Sequence, residues 1–419
     1  MTVTTNEDYA RERHTESDIR LAVPHAMPGL NRWTRAAFRM LAGIAVGRLT
    51  VVLPDGRSAA FDSGTPGPDA TVRLRDLGAI KRFILGGDLA FAEAYMDGAV
   101  ESPDPVAVVE LFVHNKNALN QGNPQGLIRV MARRIVHWLN GNTRRGSRRN
   151  IAYHYDLGNA FYARWLDPSM TYSAARFEGS QHSLEAAQIA KYRRMAEKLQ
   201  LRSGQRVLEI GCGWGGFAVY AAQEFGVQVH GITLSSEQHA YAVERAREAG
   251  VDDRVSFEIR DYRDLEGRFD AIASIEMFEA VGQSFWTRFF AQLHDRLVDG
   301  GRAALQVITI SEAGFDEYRA SPDFIQRYIF PGGMLPTRRH LRELGQARGM
   351  RVDAEEAFGL DYARTLAEWR VRFLEKWPEI EPLGFDARFR RMWDYYLAYC
   401  EGGFRGGHID VCQIAYVRP

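Results

Sequence analysis

The segment VLEIGCGWGGFA, Val207 to Ala218, combines residue types that bind a nucleotide cofactor. An acidic residue, Glu209, precedes a run of closely spaced glycines, namely Gly211, Gly213, Gly215 and Gly216. Glycines between a strand and a helix permit a tight turn and allow the backbone to approach a ligand closely. Dinucleotide enzymes use similar loops, but here the next strand ends at Thr233 and Leu234, with no acidic residue for a nicotinamide ribose. The pattern therefore favours S-adenosylmethionine as the cofactor.

A second polar stretch, Arg260 to Asp264, follows a later strand and is expected to flank the adenine of that cofactor. Tyr262 offers an aromatic face there, and Asp261 offers an acceptor for the exocyclic amine. The same residues are also compatible with an ordinary polar strand end.

Alternating strand and helix patterns from about residue 185 provide the frame that positions these loops. Segments typical of short strands are separated by helical patterns of about ten to fifteen residues, which indicates βαβ units and a parallel sheet with helices on both faces. The predicted fold class is α/β, with a Rossmann-like sheet of the class I S-adenosylmethionine methyltransferase type and a smaller α+β N-terminal domain. The chain after about residue 311 is rich in aromatic residues and is predicted to be helical.

The N-terminal part reads as a separate region. RLTVVLPDGRSAAF, residues 48–61, predicts a β-hairpin, and ATVRLRD predicts a further strand. KRFILGGDLAFAEAYMDG predicts a helix that is broken near Gly86 and Gly87. The predicted boundaries are a flexible leader at 1–28, the N-terminal domain at 29–116, a basic linker at 117–150 and the catalytic domain at 151–419.

Composition limits the classes of function. The 419 residues carry 53 Lys and Arg against 53 Asp and Glu, and this balance argues against a dedicated nucleic-acid binder. The three cysteines have no spacing typical of a zinc site or a disulfide framework. The first thirty residues lack the apolar segment of a signal peptide, and no apolar run is long enough to span a bilayer. We therefore expect a cytoplasmic enzyme without a metal.

The predicted linker has an unusual charge. Between Gln125 and Asn150 there are seven arginines and no acidic residue. One interpretation is a solvated basic linker. The other is a surface that meets anionic phospholipid headgroups, with Trp138 at the interface. On the second interpretation the enzyme associates peripherally with the inner face of the membrane.

Several longer segments resemble the cyclopropane-fatty-acyl-phospholipid synthases. Besides the glycine loop, they are AYHYDLGNAFYARWLDPSMTYSAARF (152–177), ITLSSEQ, RDYRDL, EMFEAVG (276–282), RYIFPGGMLPT (327–337) and YYLAYCEGGFRGGHIDVCQI. The resemblance covers nearly the whole chain from about residue 80. It implies transfer of a sulfonium methyl group to a cis double bond in an acyl chain of a membrane phospholipid, and dimerisation is plausible by the same analogy.

The resemblance also implies roles for particular residues. The motif positions expected to contact the cofactor, together with Glu209 and Asp261, are Tyr172, Ser173, Gly211, Gly213, Thr233, Leu234, Gln238 and Tyr262. Glu279 matches the glutamate beside the reacting centre, and Tyr362 matches a tyrosine of the same pocket. Transfer to an alkene leaves a carbocation, which aromatic faces and a nearby anion would stabilise.

Two positions depart from the family. The resemblance implies a bound bicarbonate that removes the ring-closing proton. Its expected ligands are a cysteine, a histidine and the positions of Glu279, Tyr362 and Ile308. Here the cysteine and histidine positions are Ala174 and Gln306. Gln306 can still donate through its amide, so bicarbonate remains possible but doubtful, and we keep Gln306 among the catalytic candidates. Both a cyclopropane product and a methyl-branched product stay open.

Two other classes of function are compatible with the fold. A methyltransferase acting on a small soluble nucleophile would use the same cofactor loop but normally needs a general base. A lipid-binding protein without activity could also retain this fold, although the intact glycine loop and Glu279 argue against it.

Overall fold

The computed structural model describes residues 29–120, 157–178, 183–320 and 322–419. The predicted leader and nearly all of the predicted basic linker, including its seven arginines, lie outside the described residues. The chain divides into two compact units, one formed by residues 1–94 and 98–122 and the other by 95–97 and 123–419. Each unit is described by itself below.

The N-terminal unit is an α+β structure, as predicted. Its four strands form a sheet in the order β2-β1-β3-β4, in which β1 pairs antiparallel with β2 and parallel with β3. The hairpin predicted at 48–61 is present as β1 and β2. The elements are α1 (Arg32–Leu41), β1 (Arg48–Val52), β2 (Ser58–Asp62), β3 (Asp69–Leu74), α2 (Gly78–Met96), β4 (Val100–Glu101) and α3 (Pro105–Asn120).

Two features of this unit bear on the sequence predictions. Helix α2 is broken at Gly87, whose φ of 65° and ψ of −147° are not helical, so the predicted interruption is confirmed. Helix α3 continues to Asn120, which places residues 117–120 in a helix rather than in the predicted linker. One anchor of α3 is the buried Asn115, whose Oδ1 accepts hydrogen bonds from the backbone of Ala45 and Val46. This long-range contact outweighs the turn-forming tendency of the asparagines that follow.

The second unit contains a seven-stranded sheet in the order β10-β11-β9-β8-β5-β6-β7. Strands β5 to β9 are mutually parallel, and β11 runs antiparallel to both of its neighbours. The strands are β5 (Arg206–Ile210), β6 (Gln228–Thr233), β7 (Val255–Ile259), β8 (Phe269–Ile275), β9 (Leu297–Ile310), β10 (Arg351–Ala357) and β11 (Ile409–Val417). The predicted α/β class with a largely parallel sheet is confirmed.

Helices cover both faces of this sheet. On one face, α5 and α6 bury residues such as Met195, Leu199 and Phe217 against the strands. On the other face, α8 and α10 bury Phe289, Phe290 and Leu341. The helices of this unit are α4 (Asn159–Trp165), α5 (Leu184–Leu199), α6 (Gly216–Phe225), α7 (Ser236–Glu248), α8 (Trp286–Arg296), α9 (Phe315–Ala320), α10 (Arg338–Gln346), α11 (Gly359–Glu375), α12 (Trp377–Ile380) and α13 (Ala387–Arg405).

The C-terminal part differs from the prediction that it is helical. It contributes α9 to α13 but also β10 and β11, which extend the sheet beyond β9. Strand β11 has the apolar sequence IDVCQIAYV and is buried on both faces. The strand is not recognisable from the sequence, because apolar and polar residues do not alternate in it and a short apolar run fits a buried helix equally well.

The strand order determines where a ligand can bind. The chain leaves β5 towards β6 and β7, then crosses back to β8 on the other side of β5. In open α/β sheets the crevice outside the carboxyl ends of the strands at such a switch point is the usual binding site. Among the described residues no helix combines the length and the apolar character needed to cross a membrane.

Candidate active site

The glycine loop occupies the turn between β5 and α6. Gly211, Gly213 and Gly215 all have positive φ values, of 83°, 53° and 79°, which L residues adopt only at a cost. The backbone nitrogens of Gly211 and Cys212 each donate to the Ile232 carbonyl at 3.0 Å, which ties the loop to β6. A Cβ on Gly213 would meet nothing within 4 Å. The loop therefore leaves open space beside its backbone.

That space belongs to a cavity at the carboxyl ends of β5, β6 and β8. Nine of the ten residues predicted to bind the cofactor line it: Tyr172, Ser173, Glu209, Gly211, Gly213, Thr233, Leu234, Gln238 and Tyr262. The tenth, Asp261, is not among the lining residues. Glu276 and Met277, which follow β8, also line the cavity. One continuous cavity thus connects the glycine loop with the EMFEAVG motif.

The tip of β6 supplies a polar wall. The Thr233 hydroxyl donates to Oε1 of Gln238 at 3.0 Å, and the backbone nitrogen of Ser235 donates to the same hydroxyl. Ser235 is also the N-cap of α7, since its Oγ accepts from the backbone nitrogen of Gln238. The start of α7 therefore fixes the side chains that face the cavity.

Of the two cofactor contacts predicted in the RDYRD stretch, Tyr262 lines the cavity and Asp261 does not. Tyr262 lines the cavity and packs edge-on against Phe289, with ring centroids 5.3 Å apart. The Asp261 carboxylate is buried and accepts from the side chain of Arg263 at 2.8 and 2.5 Å. Asp261 thus shapes the turn, and its role as an adenine contact stays a prediction.

Ser173 is held by two buried groups of α5. Lys191 donates from Nζ to Oγ of Ser173 at 2.7 Å, and Gln188 donates from Nε2 to the Ser173 carbonyl at 3.0 Å. Burial lowers the pKa of Lys191 to about 7, although Glu276 and other carboxylates act in the opposite direction. Neither residue was among the site residues predicted from the sequence. Their position three residues apart on the apolar face of a helix was the available signal.

Glu209 lies at the end of β5 and is buried. Its Oε2 has no hydrogen-bond partner among the described residues. Burial raises the pKa of this carboxyl to about 8, against the opposing effect of Lys191. A buried polar atom without a partner calls for an explanation, and a ligand in the adjoining cavity supplies one.

The carboxylate of Glu276 accepts three hydrogen bonds. Its Oε1 accepts from the backbone nitrogen of Ala174 and from Nε2 of Gln306, both at 2.8 Å. Its Oε2 accepts from the hydroxyl of Tyr362 at 2.7 Å. The backbone of Glu276 has a φ of 49°, the left-handed region that favours glycine. Burial raises the pKa of Glu276, whereas these hydrogen bonds act in the opposite direction.

Gln306 is itself fixed by a neighbouring strand. Its Oε1 accepts from Nε2 of Gln413 at 3.0 Å, and its Nε2 also donates to the Ala174 carbonyl at 3.2 Å. Gln306 and Gln413 stand opposite each other in the β9–β11 register. These hydrogen bonds fix the orientation of the Gln306 amide, so that its Nε2 faces Glu276.

Glu279, the predicted catalytic glutamate, lies one turn further along the chain. Its Oε1 accepts from the backbone nitrogen of Ile308 at 2.5 Å, while Oε2 has no partner among the described residues. Burial first, and then the negative charge of Glu276, raise the pKa of Glu279 to about 8. The motif is therefore recognisable from the sequence, but the role of Glu276 is not. The other two predicted catalytic residues, Tyr362 and Gln306, donate their hydrogen bonds to Glu276.

Aromatic side chains pack around Tyr362, which donates to the Glu276 carboxylate. The Tyr362 ring packs against Phe404 with centroids 4.6 Å apart and edge-on against Trp369. The hydroxyls of Tyr172 and Tyr396 lie 2.6 Å apart, which joins the cavity wall to α13. Aromatic faces beside a carboxylate in a buried pocket can stabilise a cation.

The donors around Glu276 bear on the doubtful bicarbonate. Among the described residues, the Ala174 nitrogen, the Gln306 amide and the Tyr362 hydroxyl all point to the Glu276 carboxylate. The positions expected to hold the anion therefore hold a side chain of the protein. This arrangement does not fit bicarbonate.

Comparisons with known proteins agree with this geometry. The family described as mycolic acid cyclopropane synthetase matches residues 142–414. The chain is 36% identical over 395 residues to tuberculostearic acid methyltransferase UfaA1 of Mycobacterium tuberculosis, covering 88% of each chain. It is 37% identical over 358 residues to the cyclopropane-fatty-acyl-phospholipid synthase of Escherichia coli, covering 83% of this chain and 88% of that one.

Solved structures of cyclopropane synthases are also similar to this chain. Mycolic acid cyclopropane synthase CmaA1, in complex with SAH and CTAB, superposes with a TM-score of 0.61 at 30% identity. The match covers 64% of this chain and 98% of CmaA1. Cyclopropane synthase MmaA2 from Mycobacterium tuberculosis has the same TM-score and 31% identity, with coverage of 64% and 98%.

Proposed function

Because the chain belongs to the mycolic acid cyclopropane synthetase family, we propose that it methylates a cis double bond in an acyl chain of a membrane phospholipid and gives a methyl-branched product that is still unsaturated. It is an S-adenosylmethionine-dependent methyltransferase of unsaturated acyl chains. The observation that carries the proposal is the continuous cavity that runs from the glycine loop to Glu276.

The residues of the cavity fit S-adenosylmethionine. Open space beside Gly213 and the unpartnered Oε2 of Glu209, among the described residues, are what a bound polar ligand would fill and satisfy. We assign Tyr172, Ser173 and Thr233 to the same contact surface because they line it. The cofactor supplies an electrophilic methyl group on a sulfonium.

The protein's own contribution to methyl transfer is positioning and protection. An alkene attacks without losing a proton, so no base has to activate it. The carbocation that results needs a site that excludes water and offers negative charge or aromatic faces. Glu276 and the Tyr362 ring, packed against Phe404, provide these groups.

The departures at Ala174 and Gln306 favour the methyl-branched product. Both candidate products lose a proton from the transferred methyl group. A ring forms when that proton leaves at once, whereas a branch forms when a hydride first shifts and creates a tertiary cation. With neither a thiol nor an imidazole at these two positions, slower proton removal gives the hydride time to shift. The relative named as a tuberculostearic acid methyltransferase is consistent with this choice.

Product analysis tests the proposal. Purified protein is incubated with methyl-labelled cofactor and vesicles of a cis-monounsaturated phospholipid, and the fatty esters are examined by proton NMR. We expect olefinic signals of a methylene branch and label in the acyl chain. Vesicles of the matched saturated phospholipid are the control and should take up no label. Cyclopropane ring signals would contradict the branched product, and label in soluble amines alone would contradict the lipid substrate.

We further propose that the arginine-rich segment, residues 125–150, brings the enzyme to the cytoplasmic face of the membrane. The segment lies outside the described residues, and the support comes from its charge alone. Each basic residue near an anionic surface contributes about 1 kcal/mol.

A further inference from the structure

We infer that Glu276 is the base of this reaction and that its carboxylate takes the place of an external bicarbonate. The inference rests on the proposed transfer of a methyl group to an acyl double bond. It adds a catalytic residue, Glu276, in the EMFEAVG motif, where the sequence pointed to Glu279.

The first line of support is the convergence of donors. Three of the positions expected to hold an anion are Ala174, Gln306 and Tyr362, and each of them donates to Glu276, at 2.8, 2.8 and 2.7 Å. These three donors come from separate parts of the unit: the segment before α5, strand β9 and helix α11. A carboxylate built into the chain satisfies all three.

The second line of support is the backbone. A glutamate at a φ of 49° is strained, because left-handed conformations are unfavourable for non-glycine residues. The backbone nitrogen of Glu276 is nevertheless held by the Gln306 carbonyl at 2.8 Å. Such strain persists where surrounding structure enforces it, and it clusters at active sites. Here it directs the carboxylate towards the donors and into the cavity wall.

The third line of support is the count of acceptor sites. A carboxylate offers about four lone-pair sites, and hydrogen bonds from Ala174, Gln306 and Tyr362 use three of them. One site remains to accept a proton. Because Glu276 lines the same cavity as Tyr172 and Gly211, that site adjoins the place where the methyl group is delivered.

The chemical step balances without any further reactant. After methyl transfer and the hydride shift, the positive charge lies on the carbon that carries the new methyl group. A C–H bond of that methyl group breaks, and its electron pair becomes the second bond of a C=CH₂ branch on the acyl chain. The proton passes to the Glu276 carboxylate, which becomes a neutral acid and later releases the proton to water. Gln306 and Tyr362 act as positioning residues that orient the carboxylate.

Two substitutions of Glu276 and one control test this assignment. Glu276→Gly removes the carboxylate, relieves the strained φ and leaves room for a small anion. Glu276→Gln removes the charge but fills the same space. Gln200→Gly is the matched control, because Gln200 is an exposed residue with a similar φ of 53° at the end of α5. All three are assayed for S-adenosylhomocysteine release and for lipid product in CO₂-free buffer and with added bicarbonate.

We expect the wild type and Gln200→Gly to be equally active with and without bicarbonate. Product formation by Glu276→Gly should fall by about 10²- to 10⁴-fold in CO₂-free buffer, the range expected for loss of a general base, and should recover in part with bicarbonate or formate. Glu276→Gln should stay inactive under both conditions. Dependence of the wild type on bicarbonate, or normal product formation by Glu276→Gln, would overturn the assignment.

A binding measurement separates this inference from the proposed function. Titration of ¹³C-bicarbonate followed by NMR needs neither the lipid nor turnover. We expect binding to Glu276→Gly and none to the wild type. Equal binding to both proteins would refute the replacement of bicarbonate even if the lipid product is confirmed. A wild type that binds no bicarbonate but methylates no lipid would refute the proposed function alone.

Discussion

The hydroxyl of Tyr362 donates a 2.7 Å hydrogen bond to Oε2 of Glu276. Helix α11 thereby holds a carboxylate that belongs to the end of β8. Hydrogen bonds to a charged group contribute about 1.5–3 kcal/mol. This contact therefore sets both the orientation of Glu276 and the pH range in which it is ionised.

Tyr362→Phe should shift the acid limb of the pH–rate profile upward, because the hydrogen bond from Tyr362 lowers the pKa of Glu276 and the base must be ionised. The charges of Lys191 and Glu279 interact with the same carboxylate and are unchanged in this variant. Tyr416→Phe is the control, since Tyr416 donates to the Leu341 carbonyl elsewhere in the core. Identical profiles for Tyr362→Phe and the wild type would contradict the role of this contact.

Ring closure should return when the expected anion site is rebuilt. We predict that the triple variant Ala174→Cys, Gln306→His and Glu276→Gly forms mainly cyclopropane product and requires bicarbonate, since the thiol and imidazole then hold a small anion. The double variant that keeps Glu276 is the control and should give little ring product. Proton NMR of the fatty esters distinguishes the two. A branched product from the triple variant would show that other residues decide the outcome.

Glu279 should make the folded protein less stable as pH rises. Its folded-state pKa of about 8 lies above the ordinary value of 4.5, so its stabilising contribution is full below about pH 4.5 and is lost as the pH approaches 8. Glu279→Gln removes this dependence. We predict that the melting temperature of the variant, relative to wild type, rises by a few degrees between pH 5 and 8. The difference in melting temperature between Gln200→Gly and the wild type should not change with pH. The same result for Glu279→Gln would contradict the raised pKa of Glu279.

Gly213 should be required for the cofactor rather than for the fold. We predict that Gly213→Ala lowers the affinity for S-adenosylmethionine by about tenfold or more, because the added methyl group enters the open space beside the loop. The strain at positive φ costs about 1–2 kcal/mol in either case. Gly250→Ala is the control, with a φ of 66° and equally open surroundings. Calorimetric affinities that fall equally in both variants would assign the effect to strain alone.

Membrane binding should depend on the arginine-rich segment. We predict that Arg144→Glu with Arg145→Glu weakens binding to anionic vesicles at least tenfold, and that salt weakens binding of the wild type. The control reverses two exposed arginines of the catalytic unit, Arg202 and Arg247. Sedimentation with vesicles measures both. Equal affinity of all three proteins would make the segment a plain linker.

The sequence was sufficient for the parts of the fold that have local signals. Strand β5, the glycine turn and α6 follow from the apolar run and the glycines around Gly211, and the interruption of α2 follows from Gly87. Strand β11 could not be recognised, because its burial on both faces removes the alternation that marks a strand. The end of α3 was also missed, since its anchor at Asn115 depends on residues about seventy positions earlier.

The candidate site was predictable as a set of motifs but not as a set of contacts. The EMFEAVG motif pointed to Glu279, and only the paired strands β8 and β9 reveal that Glu276 faces Gln306. The positive φ of Glu276 has no signature in the sequence, because glutamate rarely adopts it. Lys191 was overlooked because a lysine on an amphipathic helix is normally exposed.

The position of β11 has a consequence for synthesis of the enzyme. While the ribosome is still making residues beyond 320, strands β5 to β9 can already pair, but β9 remains an open edge that invites aggregation. When residues 409–417 have been made, β11 pairs with the open edge of β9. The same pairing brings Gln413 within hydrogen-bond distance of Gln306. A nascent chain can thus assemble the pocket for the methyl donor well before it completes the support for its base. Proton removal from the carbocation is consequently supported only in molecules whose sheet is complete.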